Sequence, residues 1–355
     1  MFFAMSLLWM EYEEEFEHLV EASYARESHD KEDYFRSITE RAKKIIYRDT
    51  RYNIDYLYTA YVLGEKKIMN TYAEWLYELM AGILKDRFTR EQTKEYVIFH
   101  LESIKKTIPE VVSPEKHQVL QQLIEEAQTA IRDYVPAEET NTEFRYEKEI
   151  EEYMDCLSKR DTRQAVKLVK KFSEEGIPLD DIYAEILAES MKRVGNLWHT
   201  SQITVDAEHY CTSVTQTAMS QMYDRLFEGE RNHKTILCVC PGMEFHEMGA
   251  RMVADVFENH GWDSIFLGAA VPVDYIMDSV KENQQDLVTL SVCMPQHLMD
   301  CERAVREIKT KFPQTKVAVG GIAFESTEDI WKKWPVDIYS KDVRELLTRA
   351  NEICP

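Results

Sequence analysis

Thr235-Ile236-Leu237-Cys238-Val239-Cys240 leads directly toward Glu244-Phe245-His246-Glu247-Met248-Gly249, and a helical spacing of apolar residues begins at Ala250. The first run is apolar and β-branched, the composition of a buried strand. The second is polar and belongs to a loop at the end of that strand. An acidic residue, a His two positions on and a Gly three after that can push an imidazole out of a sheet while the carboxylate orients it. Such a His suits axial ligation of a metal, because a second acceptor fixes its other ring nitrogen.

The rest of the segment has the same alternation. The pattern predicts strands at Ser264–Leu267, Leu287–Cys293, Lys316–Val319 and Asp337–Tyr339. Amphipathic stretches lie between them at Ala250–His260, Val273–Asn283, Leu298–Phe312 and Thr327–Lys333, with a last helix near Val343–Ile353. Continuous apolar strands alternating with helices imply a parallel sheet covered on both faces. Ligands of such sheets bind beyond the carboxyl ends of the strands, at the switch point. His246 falls there after the first strand, Ser291 at the end of the third, and Gly320-Gly321 after the fourth, where a missing Cβ permits close approach.

Glu244, His246, Gly249, Ser291-Val292-Cys293 and Gly320-Gly321 together resemble, in order and spacing, the loops of the cobalamin-binding fold. The resemblance implies that His246 replaces the cofactor's own base beneath cobalt. It implies that Ser291 contacts the displaced base and that the glycines line the slot for the nucleotide tail. Leu267-Gly268-Ala269-Ala270-Val271-Pro272 looks like the family's turn after the second strand. One departure is visible: Met294-Pro295-Gln296-His297 lacks the second Ser that completes a His–carboxylate–Ser relay in some members.

Upstream, Tyr146 to about Phe227 reads as helical, with Pro178 just before a helix start at Leu179-Asp180-Asp181. A helical bundle before such a domain resembles the cap over the upper face of the corrin. Trp198, with nine residues before Glu208-His209, matches the Trp-x9-Glu-His signature of the cobalamin-dependent light-responsive regulators. In that branch the Trp packs over the adenosyl group of adenosylcobalamin, and the segment here from Val205 through Glu208 and His209 lines the upper pocket. His199 corresponds to a His that, in some of those photoreceptors, becomes the upper cobalt ligand once light has broken the cobalt–carbon bond. A neutral imidazole is a good ligand for such a metal.

The expected architecture is α plus α/β. A helical N-terminal domain covers residues 1–140, a four-helix-type cap 146–232, and a flavodoxin-like doubly wound parallel sheet 233–355. A formal net charge of -21 argues against direct nucleic-acid binding, which favours a basic face. Seven dispersed cysteines fit reduced thiols of a cytoplasmic protein better than a disulfide framework. The apolar opening, Met1 to Met10, is too short to span a bilayer and is read as a packing or dimer-contact segment.

Helical runs are expected at Glu11–Ala22, Tyr34–Arg48, Ile54–Asp86, Arg90–Thr107 and Pro114–Tyr134, with a linker at Val135-Pro136 and Glu138–Thr142. No helix-turn-helix with a basic recognition helix stands out, so the resemblance to the light-responsive regulators stops at Tyr146. Dense aromatics, including Tyr47, Tyr52, Tyr56, Tyr72 and Trp75, point first to a helix core with an oligomer interface. They also resemble the layout of cobalamin photoreceptors that hold a linear tetrapyrrole such as biliverdin. There Arg48, Arg51 and Arg87 would meet propionates, and His100 the pyrrole nitrogens. Three functions are weighed: a non-enzymatic adenosylcobalamin light sensor acting through a homo-oligomer or a protein partner, a corrinoid carrier for methyl transfer, and a mutase subunit. The carriers share the Met-x-x-Val-Gly opening seen at Met191–Gly195; a mutase would need a substrate barrel, and no eightfold βα pattern exists here.

Overall fold

The computed structural model describes residues 7–136, 144–227 and 229–354. The start of the apolar opening and the expected Glu138–Thr142 linker lie outside the described residues. The chain forms two compact units, one holding the chain as far as Ala137, the other most of the chain beyond it.

The first unit is helical: α1 (Leu7–Asp30), α2 (Glu32–Ser37), α3 (Glu40–Leu63), α4 (Lys66–Ile83), α5 (Arg90–Val111) and α6 (Pro114–Asp133). The ends obey local chemistry. Thr89 caps α5 in a reciprocal box, its Oγ1 accepting from Gln92 N at 3.2 Å while Gln92 Oε1 accepts from Thr89 N at 2.9 Å. The run expected unbroken from Ile54 to Asp86 is split. Gly64 takes φ +64 after Leu63, a left-handed residue that ends α3 before α4 begins. Phe16, Leu19, Ile54, Leu57, Tyr58 and Ile68 are among the side chains that form the core of this unit.

The second unit opens with α7 (Glu147–Ser158), α8 (Thr162–Glu174) and α9 (Leu179–Asp181). A π-helical segment, Ile182–Leu187, continues into α10 (Ala188–His199), followed by α11 (Val205–Ser220) and α12 (Tyr223–Leu226). Then come β1 (Thr235–Pro241), α13 (Met248–Asn259), β2 (Asp263–Val271), α14 (Val273–Asn283), β3 (Leu287–Ser291), α15 (Leu298–Lys311), β4 (Lys316–Gly320), β5 (Ile338–Tyr339) and α16 (Val343–Ile353). The five strands are parallel in the order β2-β1-β3-β4-β5. That is the flavodoxin-like order, whose switch point lies between β1 and β3. Cap helices and sheet share one apolar core: Tyr153, Phe172 and Val194 of the cap belong to the same buried cluster as Ile236, Phe257 and Trp262. The boundary expected near residue 232 therefore falls inside one unit.

Two segments differ from expectation. The Thr327–Lys333 stretch forms no α-helix; short 3-10 turns at Ile322–Ser326 and Ile330–Lys333 occupy the region. A run this brief between Gly321 and Pro335 cannot recover the cost of helix nucleation. The stretch read as a turn after the second strand, from Leu267, stays paired to β1 as far as Val271. Gly268 at φ +82 and Ala270 at φ +56 bulge the strand instead of ending it. Among the described residues no helix is long and apolar enough to cross a membrane.

Candidate functional site

Glu244 is the hinge pin of the carboxyl edge. Its side chain is fully buried. Oε1 accepts from the backbone N–H of His246 at 2.9 Å and lies 2.6 Å from His246 Nδ1. Oε2 accepts from Cys293 N, beyond β3, at 2.7 Å. The Glu244 carbonyl accepts from Ala270 N, on β2, at 2.8 Å. One residue thus ties the ends of β1, β2 and β3 together at the switch point. That is also why the third strand stops at Ser291 and not at Cys293: the Cys293 N–H is turned toward Glu244.

The pair sets the tautomer of His246. With Nδ1–H donating to the carboxylate, Nε2 carries the lone pair and takes no hydrogen bond among the described residues, while the side chain is 60% exposed. The hydrogen bond to Glu244 raises the His246 pKa, burial opposes it, and the charges of Glu244 and of Glu208 add to the rise. Glu208 belongs to the cap, so its carboxylate faces the same imidazole from α11.

The remaining sheet residues converge as expected. Ser291 is the register partner of Gly320, and its hydroxyl makes no hydrogen bond among the described residues. Gly321 sits at φ +104 with the Val292 carbonyl oxygen 2.2 Å from where its Cβ would be; a Cβ on Gly320 would meet Ser340 O at 2.8 Å. These two glycines are required by backbone packing within the protein. Gly249 differs: nothing lies within 4 Å of its missing Cβ. Cys293 contributes its backbone N–H; burial, then the charge of Glu244, push its thiol up to about 12, so the sulfur stays protonated.

On the cap, Trp198 and His199 close α10 and are half-buried. Val205 opens α11 and is 52% exposed. His209 is exposed and pairs with its neighbour, Nδ1 to Glu208 Oε2 at 2.6 Å. Sequence reasoning missed the rest of this face. Thr212 Oγ1 donates to Glu208 Oε1 at 2.9 Å, and Gln216 Nε2 donates to Glu247 Oε1, in the His246 loop, at 3.3 Å. Glu208, Thr212 and Gln216 recur at every fourth position, a polar stripe that helical periodicity makes legible.

The residues suit a large, flat, metal-bearing ligand. Phe245 and Ile322, just beyond β1 and β4, and Leu267, within β2, leave large apolar side chains exposed, and exposed apolar surface of this kind marks binding sites. Among the described residues, no group of three or more His, Cys, Asp or Glu is placed to hold a bare metal ion.

Of the four N-terminal candidates, three have protein partners within their own unit. His100 is buried, with Nδ1 2.6 Å from Glu27 Oε2 and Nε2 2.7 Å from Asn53 Nδ2. Arg51 pairs with Glu17, Arg48 with Asp49, and Arg87 is exposed.

The fold and the His246 loop agree with the comparisons to known proteins. Residues 234–341 match the B12 binding domain family, and residues 149–223 match a second B12 binding domain family. The two matches lie over the cap helices and over the sheet, and they support cobalamin binding. The chain is 25% identical over 158 residues to the HTH-type transcriptional repressor CarH of Myxococcus xanthus, covering 44% of this chain and 52% of that protein. The chain thus spans about half the length of that relative. It is 24% identical over 210 residues to the dimethylamine corrinoid protein of Methanosarcina barkeri, covering 58% of this chain and 96% of that one. The solved structure of the Methanosarcina barkeri monomethylamine corrinoid protein shares the fold, with TM-score 0.51 and 19% identity over 58% of this chain and 99% of that one.

Proposed function

We propose that this protein is a light sensor that holds adenosylcobalamin between its cap and its sheet domain and signals through assembly. The observation that carries the reading is an exposed His246 Nε2 faced by cap helix α11, whose Glu208 charge acts on that imidazole and whose Gln216 donates to Glu247 in the same loop. His246 offers the lower ligand, and Glu244 holds its tautomer and ring orientation. Ser291 and the loop behind Gly320-Gly321 receive the displaced base and tail. Trp198, Val205 and Glu208 cover the upper group and exclude water from it. When bound, adenosylcobalamin supplies a cobalt–carbon bond that visible light breaks. His199, beside Trp198, is the imidazole we assign to the upper side of the metal after light. The N-terminal unit is the output, by contacts with a second copy or with a protein partner, and biliverdin is its proposed second chromophore.

The test is an absorption spectrum of the full chain reconstituted with adenosylcobalamin in the dark and after green light, with size-exclusion chromatography of both samples. A His-on spectrum that changes with light, together with a change in assembly, is expected. Binding with no light-dependent change in assembly would overturn the sensor reading. That result would favour a corrinoid carrier for methyl transfer, which the near-complete coverage of the dimethylamine corrinoid protein and the Met191–Gly195 opening also support. Biliverdin is tested by adding it to the purified chain; no red-shifted bound absorption ends that part of the proposal.

A further inference from the structure

The helix that ends in Trp198 and His199 does not keep one register. From Leu179 to His199 it is continuous, yet Ile182–Leu187 is π-helical, with Ala188 N bonded to Tyr183 O five residues back. A π turn holds one residue more than an α turn and is seldom populated without outside support; it recurs at functional sites. Returning it to α register would rotate everything beyond it by about 100° per residue and move it by about 1.5 Å.

Side chains hold this turn. Asp181, at its start, accepts from Tyr146 Oη at 2.7 Å and from Arg145 and Arg344, each at 3.1 Å. Glu185, inside it, accepts from Arg344 at 2.6 Å. Tyr183, also inside it and fully buried, donates its hydroxyl to Asp255 Oδ2 at 3.1 Å, and Tyr223 donates to Asp255 Oδ1 at 3.1 Å. Asp255 is 4% exposed and sits on α13, the helix that starts two residues after His246. A buried carboxylate in an apolar core needs such donors. Among the described residues they come from Tyr183 and Tyr223 of the cap, so the pin joins the π turn to the helix that follows the His246 loop. Beyond the turn, Arg193 makes a two-point contact with Glu147 at 2.7 Å for each bond, which ties α10 to α7. The α10 tip itself, with Trp198 and His199, is only half-buried.

We infer that Ile182–Leu187 is a two-register hinge, that Tyr183 and Asp255 pin its π form, and that its register positions the Trp198–His199 edge relative to His246. The inference rests on the cobalamin reading and names the element by which occupancy of that site reaches the cap. Coupling between two faces of a site needs an element with two arrangements that both faces bias; the π turn is that element in this fold.

Deleting Ala184, a half-buried residue of the turn whose side chain ends at Cβ, removes the extra residue and leaves both flanks in α register. The experiment is amide hydrogen exchange over residues 183–199 of the full chain, with α8 as internal reference. Wild type, the Ala184 deletion and Tyr183→Phe are each measured without ligand and with aquacobalamin. In wild type without ligand the amides of 183–188 are expected to exchange about tenfold faster than those of α8, and to slow on binding. The deletion should be slow in both states while still giving a His-on spectrum, and Tyr183→Phe should be faster than wild type without ligand. A deletion variant that exchanges and responds like wild type overturns the hinge, as does a wild type in which 183–188 is as protected as α8 in both states. If the deletion variant loses its far-UV helicity, Tyr183→Phe decides: unchanged exchange overturns the pin. If aquacobalamin does not bind wild type, the cobalamin reading fails, and the ligand-free comparisons still decide whether the turn is a hinge.

Discussion

Two histidines each lean on a fully buried glutamate, and only one of the two pairs leaves a ring nitrogen open. His100 Nδ1 lies 2.6 Å from Glu27, and His246 Nδ1 lies 2.6 Å from Glu244. In the N-terminal bundle the second nitrogen is used by Asn53, and the His100 side chain is 8% exposed. At the carboxyl edge of the sheet the second nitrogen is free of protein partners among the described residues and the ring is 60% exposed. A carboxylate behind a histidine orients it in both places. What differs is whether the surroundings leave the other face open: His100 of α5 is enclosed by partners on α1 and α3, whereas His246 stands exposed in the loop after β1.

Substituting the two histidines is the sharpest way to break this comparison. His246→Ala should remove the His-on absorption and weaken cobalamin binding by more than the roughly 10–100-fold expected on loss of a partner behind a metal ligand. His100→Ala should leave the cobalamin spectrum intact and destabilise the bundle by about 3–5 kcal/mol, because Glu27 would remain buried without its partner. Equal effects of the two on the spectrum would dissolve the distinction. Glu244→Gln comes next: with the tautomer no longer fixed, binding should weaken by about 10–100-fold, read by equilibrium titration. A fall of the melting temperature with unchanged affinity would instead make Glu244 only a tie between the strand ends.

Glycines offer the same contrast on a smaller scale. Gly321→Ala forces a side chain onto φ +104 and into the Val292 carbonyl, and should cost the ligand-free protein about 1–3 kcal/mol in chemical denaturation. Gly249→Ala meets nothing within 4 Å. It should raise ligand-free stability by up to about 1 kcal/mol, yet weaken cobalamin binding by about 1–3 kcal/mol if the corrin lies against it. Unchanged affinity in Gly249→Ala would move the ligand away from that helix.

Much of this was legible because it is local or periodic. The strand–loop–helix run around His246, the alternation that gives a parallel sheet, and the limits of the Val273–Asn283 and Val343–Ile353 helices all come from spacing along the chain. What escaped is long-range or depends on a single backbone state. The bond from Cys293 N to Glu244 joins residues 49 apart in sequence, and no pattern of side chains announces a backbone donor. Gly64 passes unnoticed inside a helical run from Ile54 to Asp86 until its φ is known. The π turn has an α-helical apolar pattern on either side of it, so its extra residue is silent. His100 looks available in the sequence, which does not show that Glu27 and Asn53 reach it.

The smallest expected effect is on acidity, and it probes the His100 pair by stability alone. Burial disfavours charge on His100, but the charge of Glu27, its hydrogen bond and the charge of Asp49 outweigh it, so the folded pKa is raised. A raised folded pKa means the proton binds more tightly in the native bundle. The resulting stability is fully present below the unfolded value of about 6.5 and is lost as pH rises through the higher folded value. Unfolding of the N-terminal unit monitored from about pH 6 upward, a range chosen to bracket that value of about 6.5, should therefore show stability declining in wild type and a flatter profile in His100→Gln. The variant keeps a hydrogen-bonding side chain at the position but has nothing to titrate there. An identical slope in both proteins would mean that His100 is neutral in the fold, and the Glu27 contact would then be a hydrogen bond without a charge behind it.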